Sequence, residues 1–150
     1  MGAYVEALTE FDSDSASLFL AGGISGCADW QSVVAAALAD LPVAILNPRR
    51  RHFPMADRSA AEQQIVWEHR HLRLASAIAF WFPPDTLCPI TLFELGAWSM
   101  TSKPLFVGTH IDYQRRQDVV VQMQLARPEV PVTDSLEELQ RQIRQAYALR

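Results

Sequence analysis

The chain has 150 residues, of which 49% are hydrophobic and 20% are charged, and this composition fits one globular domain that buries about 70% of its unfolded surface. Its 13 basic and 17 acidic residues give a net charge of -4 and a pI of about 5.5, too acidic for a surface that binds nucleic-acid polymers. No apolar run reaches the roughly 18 residues of a membrane span, and the acidic start of the chain is unlike a signal peptide, so we expect a cytoplasmic protein without membrane contact. Cys27 and Cys88 lie far apart in the chain and outside any metal-ligand spacing, so neither a disulfide framework nor a metal site is predicted.

Apolar runs of strand length alternate along the chain with segments of helical periodicity. Residues 1–16 fit no element and are interpreted as a disordered tail, which leaves residues 17–150 as the folded domain. The predicted strands are 17–22, 42–46, 77–82, 105–107 and 130–132. The predicted helices are 29–38, 59–75, 90–100, 115–125 and one that begins after 134, with caps from Asp29, from Ser59 with Glu62, and from Asp134 with Glu137.

Five strands that alternate with helices predict one α/β domain with a doubly wound, five-stranded parallel sheet in the flavodoxin-like strand order. Ligands of such sheets bind beyond the carboxyl ends of the strands. Here those ends are followed by residues 22–27, 47–58, 83–90 and 108–113. We therefore expect the binding site among these four loops.

Glu94 is the only ionisable residue in residues 90–98, a predicted helix segment that is apolar almost all round. Glu94 either faces solvent, as unpaired glutamates usually do, or points into a cleft near the helix N-terminus, where it stays ionised and can act as a nucleophile. Its neighbours Phe93, Leu95 and Trp98 leave no polar stripe to which it could belong. This neighbourhood speaks for the cleft.

Glu68 presents the same problem on the preceding predicted helix. It shares one helical face with Ile65, Leu72 and Ala75, and we expect this face to meet the sheet. Glu68 is then either paired with a basic residue such as Arg73 or faces the site as a second acid. Glycosyl transfer needs two carboxylates in one place, one to attack the anomeric carbon and the other to handle the proton of the leaving group.

Three glycines, Gly22, Gly23 and Gly26, follow the first predicted strand. Their spacing differs from that of a Rossmann phosphate loop, and Asn47 stands where an acidic residue would follow the second strand of a dinucleotide-binding domain. The turn either brings a ligand against backbone amides, with Ser25 as a donor, or is a tight turn without a ligand.

Arg49, Arg50 and Arg51 form the densest positive patch of this acidic chain. They are either a solvated loop or, because they follow a strand, a binding site for phosphate or carboxylate groups. His69 and His71 lie two positions apart on a predicted helix and cannot face one metal ion, so they are interpreted as incidental.

Six short segments occur in a characteristic order over residues 18–118. They are LFLAGGISG followed by Trp30, then NPRR, QIVWE, AIAFWFP, TLFELG and KPLFVG. Together they resemble the nucleoside 2-deoxyribosyltransferase-like family, most specifically in the ordered series NPRR, WE and ELG. The resemblance implies a flavodoxin-like sheet and an enzyme that exchanges or hydrolyses the N-glycosidic bond of nucleosides without a cofactor.

The resemblance also implies roles for single residues. The glutamate of ELG, Glu94, matches the family's nucleophile, and Glu68 matches the acidic residue that positions the sugar or the base. The turn that contains Gly22, Gly23 and Ser25 matches the place where the family holds the sugar.

One departure from the family's pattern concerns recognition of the base. Members of the family commonly have an aspartate a few positions before the nucleophile, whereas this chain has Cys88 followed by Pro89. Asp85 lies further back in the same loop. Asp112 and Tyr113, after the fourth predicted strand, are the expected substitutes.

We therefore expect an enzyme that cleaves or transfers the N-glycosidic bond of a nucleoside, by resemblance a 2-deoxynucleoside, through a covalent intermediate on Glu94. One alternative is a hydrolase of nucleoside 5′-monophosphates in which Ser25 and one or more of Arg49, Arg50 and Arg51 hold the phosphate. Another is a nucleotide-binding sensor without turnover. The shortness of the chain and the resemblance favour a homo-oligomer, a dimer or larger. Trp98, Met100 and residues 119–123, which one core does not fully place, either form its interface or cover the sheet edge in a monomer.

Overall fold

The computed structural model describes residues 2–149, in which strands and helices alternate from Ser17 onward as the sequence predicts. The strands are β1 (Tyr4–Glu6), β2 (Ser17–Gly22), β3 (Ala44–Asn47), β4 (Ala77–Phe82), β5 (Leu105–Thr109) and β6 (Val132–Thr133). The helices are α1 (Trp30–Ala37), α2 (Ser59–Leu74), α3 (Pro89–Ser99), α4 (Arg116–Ala126) and α5 (Leu136–Ala148).

The strands form one parallel sheet in the order β1-β3-β2-β4-β5-β6. Without β1 this is the predicted flavodoxin-like order, which runs outward from β2 to β3 and then crosses to β4, β5 and β6. The predicted number of five strands is wrong, because β1 pairs with β3 at the sheet edge, where Tyr4 lies opposite Ile45. A strand of three residues is too short to show an alternating pattern in the sequence.

Residues that follow β1, within the segment 1–16, make contacts of their own with α2. The backbone N–H of Phe11 donates to Nε2 of His71 at 3.0 Å, and the indole N–H of Trp67 donates to the carbonyl oxygen of Thr9 at 2.8 Å. The side chain of Phe11 is 7% exposed. This part of the segment therefore carries both a strand and anchored side chains.

Helices cover both faces of the sheet. On one face α1 and α5 pack through residues such as Val34 and Ile143, and on the other face α2, α3 and α4 pack through residues such as Trp67, Leu95 and Met123. All six residues of β4 are buried, as expected for a central parallel strand with an unbroken apolar sequence. None of the helices within residues 2–149 combines the length and the apolarity that crossing a membrane requires.

The helix caps agree only in part with those predicted. Asp29 caps α1 by accepting a backbone N–H one turn into the helix. At the start of α2 the acceptor is the carboxylate of Asp57, which receives both the backbone N–H and the hydroxyl of Ser59, at 2.9 and 2.7 Å. The cap of α5 is Ser135 rather than Asp134, because Ser135 has the extended backbone that a capping residue needs.

The buried face of α2 agrees only in part with the predicted one, since Leu72 and Ala75 are buried as expected. Ile65 is 63% exposed, whereas Gln64, Trp67 and His71 are buried. The ring of His71 stacks on Trp67 with a centroid distance of 4.0 Å. Glu68 is half-buried at the border of this face. The polar residue types at positions 64 and 71 hid this stripe in the sequence.

The residues expected at an oligomer interface divide between core and surface. Val119 and Met123 are 2% and 1% exposed and belong to the core, so they are wrong as interface candidates. Trp98 is half-buried against the same core. Met100 and the neighbouring Leu125 of α4 are exposed, at 80% and 77%.

Candidate active site

Glu68 of α2 and Glu94 of α3 line one cavity of about 500 Å³ between these helices, which we call the carboxylate cavity. Apolar side chains that include Ile65, Ile90 and Phe93 form much of its wall. The two carboxylates that the sequence singled out are thus brought together. Glu94 is half-buried in the second turn of α3, and its raised pKa of about 8 disagrees with the expectation that it stays ionised near the helix N-terminus.

The carboxylate cavity lies between helices rather than among the four expected loops. Its lining comes from α2, from α3 and from Thr101 just after α3. Of the four loops, only residues 83–90 reach it, through Ile90. The cavity is therefore built mainly by α2 and α3 and not by the strand-end loops.

The electrostatics of the carboxylate cavity are unfavourable to two negative charges. Burial, and to a smaller extent the nearby charge of Glu68, raise the pKa of Glu94 to about 8. Burial also raises the pKa of Glu68, against a hydrogen bond from Gln64 that lowers it. Arg73 lines the same cavity, but within residues 2–149 no ion pair joins it to either carboxylate. Two acids with raised pKa values in one cavity are typical of a functional site.

The glycine turn after β2 is tight for reasons of packing. A Cβ atom on Gly22 would collide with the indole ring of Trp30, and one on Gly23 would lie 3.0 Å from the sulfur atoms of both cysteines. The carbonyl oxygen of Gly23 accepts the indole N–H of Trp30 at 3.0 Å. Ser25 is exposed at the tip of the turn. Ligand binding by these residues stays a prediction.

Arg49 and Arg50 differ in how the protein uses their guanidinium groups. Arg49 donates to the carbonyl oxygens of Cys27 and Ala28 at 2.9 and 2.8 Å, and so ties the loop after β3 to the glycine turn. The guanidinium of Arg50 lies over the ring of Phe53 at 5.0 Å. Its Nη1 atom is buried and has no hydrogen-bond partner among the residues described. Of the two, only Arg50 thus keeps a buried guanidinium nitrogen that no described residue uses.

Asn47 and Tyr113 use their polar atoms inside the protein. The amide nitrogen of Asn47 donates to the hydroxyl of Tyr4 at 2.8 Å, and its oxygen accepts the backbone N–H of Arg49 at 2.9 Å. Tyr113 is 3% exposed and donates its hydroxyl to the carbonyl oxygen of Leu87 at 2.7 Å. Burial raises the pKa of Tyr113 to about 12. Both side chains thus hold neighbouring loops in place.

Asp85 and Asp112 are exposed acids on two of the strand-end loops. Asp85 is near enough to Cys27 for its charge to raise the pKa of that thiol, after the larger effect of burial. The side chain of Asp112 is 80% exposed, and its backbone N–H donates to Nδ1 of His110. Neither aspartate lines the carboxylate cavity. Their role in recognising a base stays a prediction.

Gln64 is a site residue that the sequence analysis did not find. It is 9% exposed, and its amide nitrogen donates to the carbonyl oxygen of Pro48 at 2.6 Å and to Oε1 of Glu68 at 3.3 Å. The signal was its position four residues before Glu68, which places both side chains on one side of a helix. Gln64 is uncharged and follows several polar residues, so the sequence alone gave no reason to select it as a site residue.

Comparison with known protein families gives one match. Residues 15–113 match the family described as nucleoside 2-deoxyribosyltransferase like, which is 99 of 150 residues. The matched segment includes Glu68, Glu94, the glycine turn and the arginines. No curated protein matches the chain.

Proposed function

Because the chain belongs to the nucleoside 2-deoxyribosyltransferase-like family, we propose that it acts in the cytoplasm to cleave or transfer the N-glycosidic bond of a 2-deoxynucleoside. The observation that carries this proposal is that Glu68 and Glu94 share one cavity and form no ion pair within residues 2–149. Buried acids without a basic partner destabilise a fold, so their presence favours a chemical role.

In the proposed reaction Glu94 is the nucleophile. One of its carboxylate oxygens attacks C1′ of the sugar, and a C1′–O bond forms as the C1′–N bond to the base breaks. The base leaves with the electron pair of that bond and takes up a proton from solvent water. A second base, or water, then attacks C1′ and gives a proton to the solvent, while the C1′–O bond to Glu94 breaks and its electron pair restores the carboxylate. Glu68 positions the sugar or the base during both steps.

The protonation state of Glu94 limits this reaction. With its pKa raised to about 8, Glu94 is mostly protonated at neutral pH and must lose that proton before it can attack. We therefore expect the rate of the first step to rise with pH up to about 8. The cavity, at about 500 Å³, is within the usual range of roughly 300 to 1,000 Å³ for sites that bind small molecules.

A chromatographic assay of nucleosides and their 5′-monophosphates, each with and without a second free base, tests the proposed function. Formation of a new nucleoside identifies a transferase, and release of free sugar identifies a hydrolase. Binding of these compounds without any turnover would contradict the proposal and indicate a nucleotide-binding sensor.

Trapping the intermediate tests the role of Glu94. A slow substrate with a 2-fluoro sugar should leave a glycosyl group that mass spectrometry of peptides finds on Glu94. A glycosyl group on Glu68 instead would overturn the assignment and make Glu94, the acid with the higher pKa, the proton donor.

The free guanidinium atom of Arg50 supports hydrolysis of nucleoside 5′-monophosphates as a second candidate function. In that case Arg50, with Ser25 from the glycine turn, binds the phosphate. Replacing Arg50 with alanine should then weaken monophosphates by about ten- to a hundredfold, since one charged hydrogen bond contributes roughly 1.5 to 3 kcal/mol. The matched control is the parent nucleoside on the same variant. Equal losses for both ligands would reject this role.

We further propose that two copies of the chain associate through the outer faces of α3 and α4. Met100 and Leu125 are 80% and 77% exposed there, and both line an apolar groove of about 430 Å³. Light scattering should give about twice the chain mass of 16.8 kDa. Leu125→Asp should halve the measured mass, whereas the matched control Val33→Asp, on the opposite face of the sheet, should not. A wild-type mass near that of one chain would reject the dimer.

A further inference from the structure

Gln64 connects the loop after β3 with the carboxylate cavity. Its amide nitrogen has two protons, of which one is donated to the carbonyl oxygen of Pro48 at 2.6 Å and the other to Oε1 of Glu68 at 3.3 Å. The side chain is 9% exposed, so water does not compete freely for these bonds. The contact to Pro48 fixes the amide in place for its contact to Glu68.

The orientation of this amide follows from its two partners. The Pro48 carbonyl accepts hydrogen bonds and cannot donate them, and an ionised Glu68 is likewise only an acceptor. With nitrogen and oxygen exchanged, the amide oxygen of Gln64 would face two acceptors. The amide nitrogen therefore faces Glu68, and Oε1 of Gln64 remains buried without a partner among the residues described.

The two carboxylates differ in what surrounds them. Glu94 faces Glu68 from α3, while His69 and Arg73 of α2 are the other titratable or charged residues that line the cavity. Within residues 2–149 the carboxylate of Glu68 accepts a hydrogen bond from Gln64, and no hydrogen bond reaches the carboxylate of Glu94. A donor aimed at one carboxylate of a close pair favours ionisation of that carboxylate.

We infer that Gln64 is a positioning residue that keeps Glu68 ionised and thereby leaves the proton shared by the pair on Glu94. Burial raises the pKa of both acids, but the Gln64 bond opposes that rise at Glu68, whereas the charge of Glu68 adds to it at Glu94. Gln64 does not touch the reacting atoms in this scheme. It acts through Glu68, and only the kinetic consequence rests on the proposed function.

A titration of the protein without substrate tests the inference first. Carboxyl carbon signals of ¹³C-labelled glutamate are assigned with Glu68→Gln and Glu94→Gln and followed against pH. In the wild type Glu68 should ionise at a lower pH than Glu94. In Gln64→Met, which keeps the side-chain length and removes the donors, the midpoint of Glu68 should rise by about one pH unit. Ionisation of Glu94 before Glu68 in the wild type would overturn the inference, even if the variant does not fold.

Kinetics supply the second test, with Gln63→Met as the matched control because Gln63 is the exposed neighbour. In Gln64→Met, kcat/KM near pH 6 should rise by up to about tenfold, because a proton that moves to Glu68 leaves Glu94 ionised for attack, and the two proteins should converge at pH values where both acids are ionised. In a Glu68→Gln background the same substitution should have little further effect, since Gln64 acts through Glu68. Equal losses in both backgrounds, independent of pH, would contradict the inference. A wild-type protein without turnover would contradict the proposed function and leave the titration to decide this inference.

Discussion

Polar side chains in the strand-end loops and in the carboxylate cavity differ in whether they have partners within the chain. In the loops, Arg49, Asn47 and Tyr113 direct their polar atoms at other parts of the same chain and hold turns in place. In the cavity, Glu68 and Glu94 are half-buried and form no ion pair in the described part of the chain. The charge of Glu68 contributes to the raised pKa of Glu94. A polar group whose hydrogen-bond partners all lie within the chain has a structural explanation. The carboxylate of Glu94, which receives no hydrogen bond within residues 2–149, has no such explanation. On this contrast we propose a structural role for these three loop residues and a chemical role for the cavity.

The largest effect that the contrast predicts is on turnover. Glu94→Gln should lower kcat at least about a thousandfold, roughly 4 kcal/mol of transition-state stabilisation, because the amide cannot attack C1′. Steady-state kinetics with the substrate found in the assay measure this loss. The control is Glu62→Gln, which changes an exposed glutamate on the same face of the sheet. Near-full activity in Glu94→Gln would contradict the proposal that the cavity is the site of the reaction.

A second prediction concerns stability and needs no substrate. An acid whose pKa is raised on folding binds its proton more tightly in the folded state, so the free energy of unfolding falls as pH rises from about 4.5 to about 8. We expect a fall of a few kcal/mol in urea unfolding of the wild type. Glu94→Gln should lose most of this dependence and be the more stable protein at pH 8. The same pH dependence in both proteins would mean that Glu94 is not held in an unfavourable environment.

Substitutions in the strand-end loops should change the free energy of unfolding and not the rate of the reaction. Arg49→Ala removes the donor for two backbone carbonyls and should lower the free energy of unfolding by about 2 kcal/mol. Arg51→Ala is the control, because that side chain is 82% exposed and its loss should change stability by less than about 0.5 kcal/mol. Urea unfolding of the two variants decides the point. Equal stability would show that the Arg49 contacts contribute nothing to the fold.

The smallest predicted effect is that of Tyr113→Phe. The variant keeps the buried ring against Phe82 and loses one hydrogen bond to Leu87, which should lower stability by about 1 kcal/mol. Thermal unfolding measures that loss, and calorimetry measures ligand affinity. A clear loss of affinity with unchanged stability would break the contrast, because the hydroxyl would then serve the ligand, as the sequence analysis predicted.

The sequence was informative wherever a local pattern was sufficient. The six apolar residues of β4 lie between Ser76 and a pair of prolines, and its predicted bounds of 77–82 are those observed. Glu94 stood out because it was the one acid in an apolar helix segment. In both cases the residues adjacent in the sequence are sufficient to identify the feature.

Where partners are distant in the chain, the sequence could not supply them. The two carbonyl acceptors of Arg49 lie more than 20 positions away, so the triplet of arginines appeared to be three equivalent cations. Gln64 was missed because its importance depends on the Pro48 carbonyl, which only the fold brings near. Strand β1 has three residues and depends on β3 for its existence.

The pairing of β1 with β3 has a consequence for any shortened form of the protein. Removing residues 1–16, which composition alone would suggest as dispensable, exposes the backbone edge of β3, whose sequence AILN is buried along its whole length. An open apolar edge is a template for a strand of another molecule. We expect the shortened chain to self-associate edge to edge and to elute as large aggregates in size-exclusion chromatography. Strand β1 thus protects the edge of the sheet from pairing with other molecules. We expect its removal to lower the solubility of the protein more clearly than the free energy of unfolding.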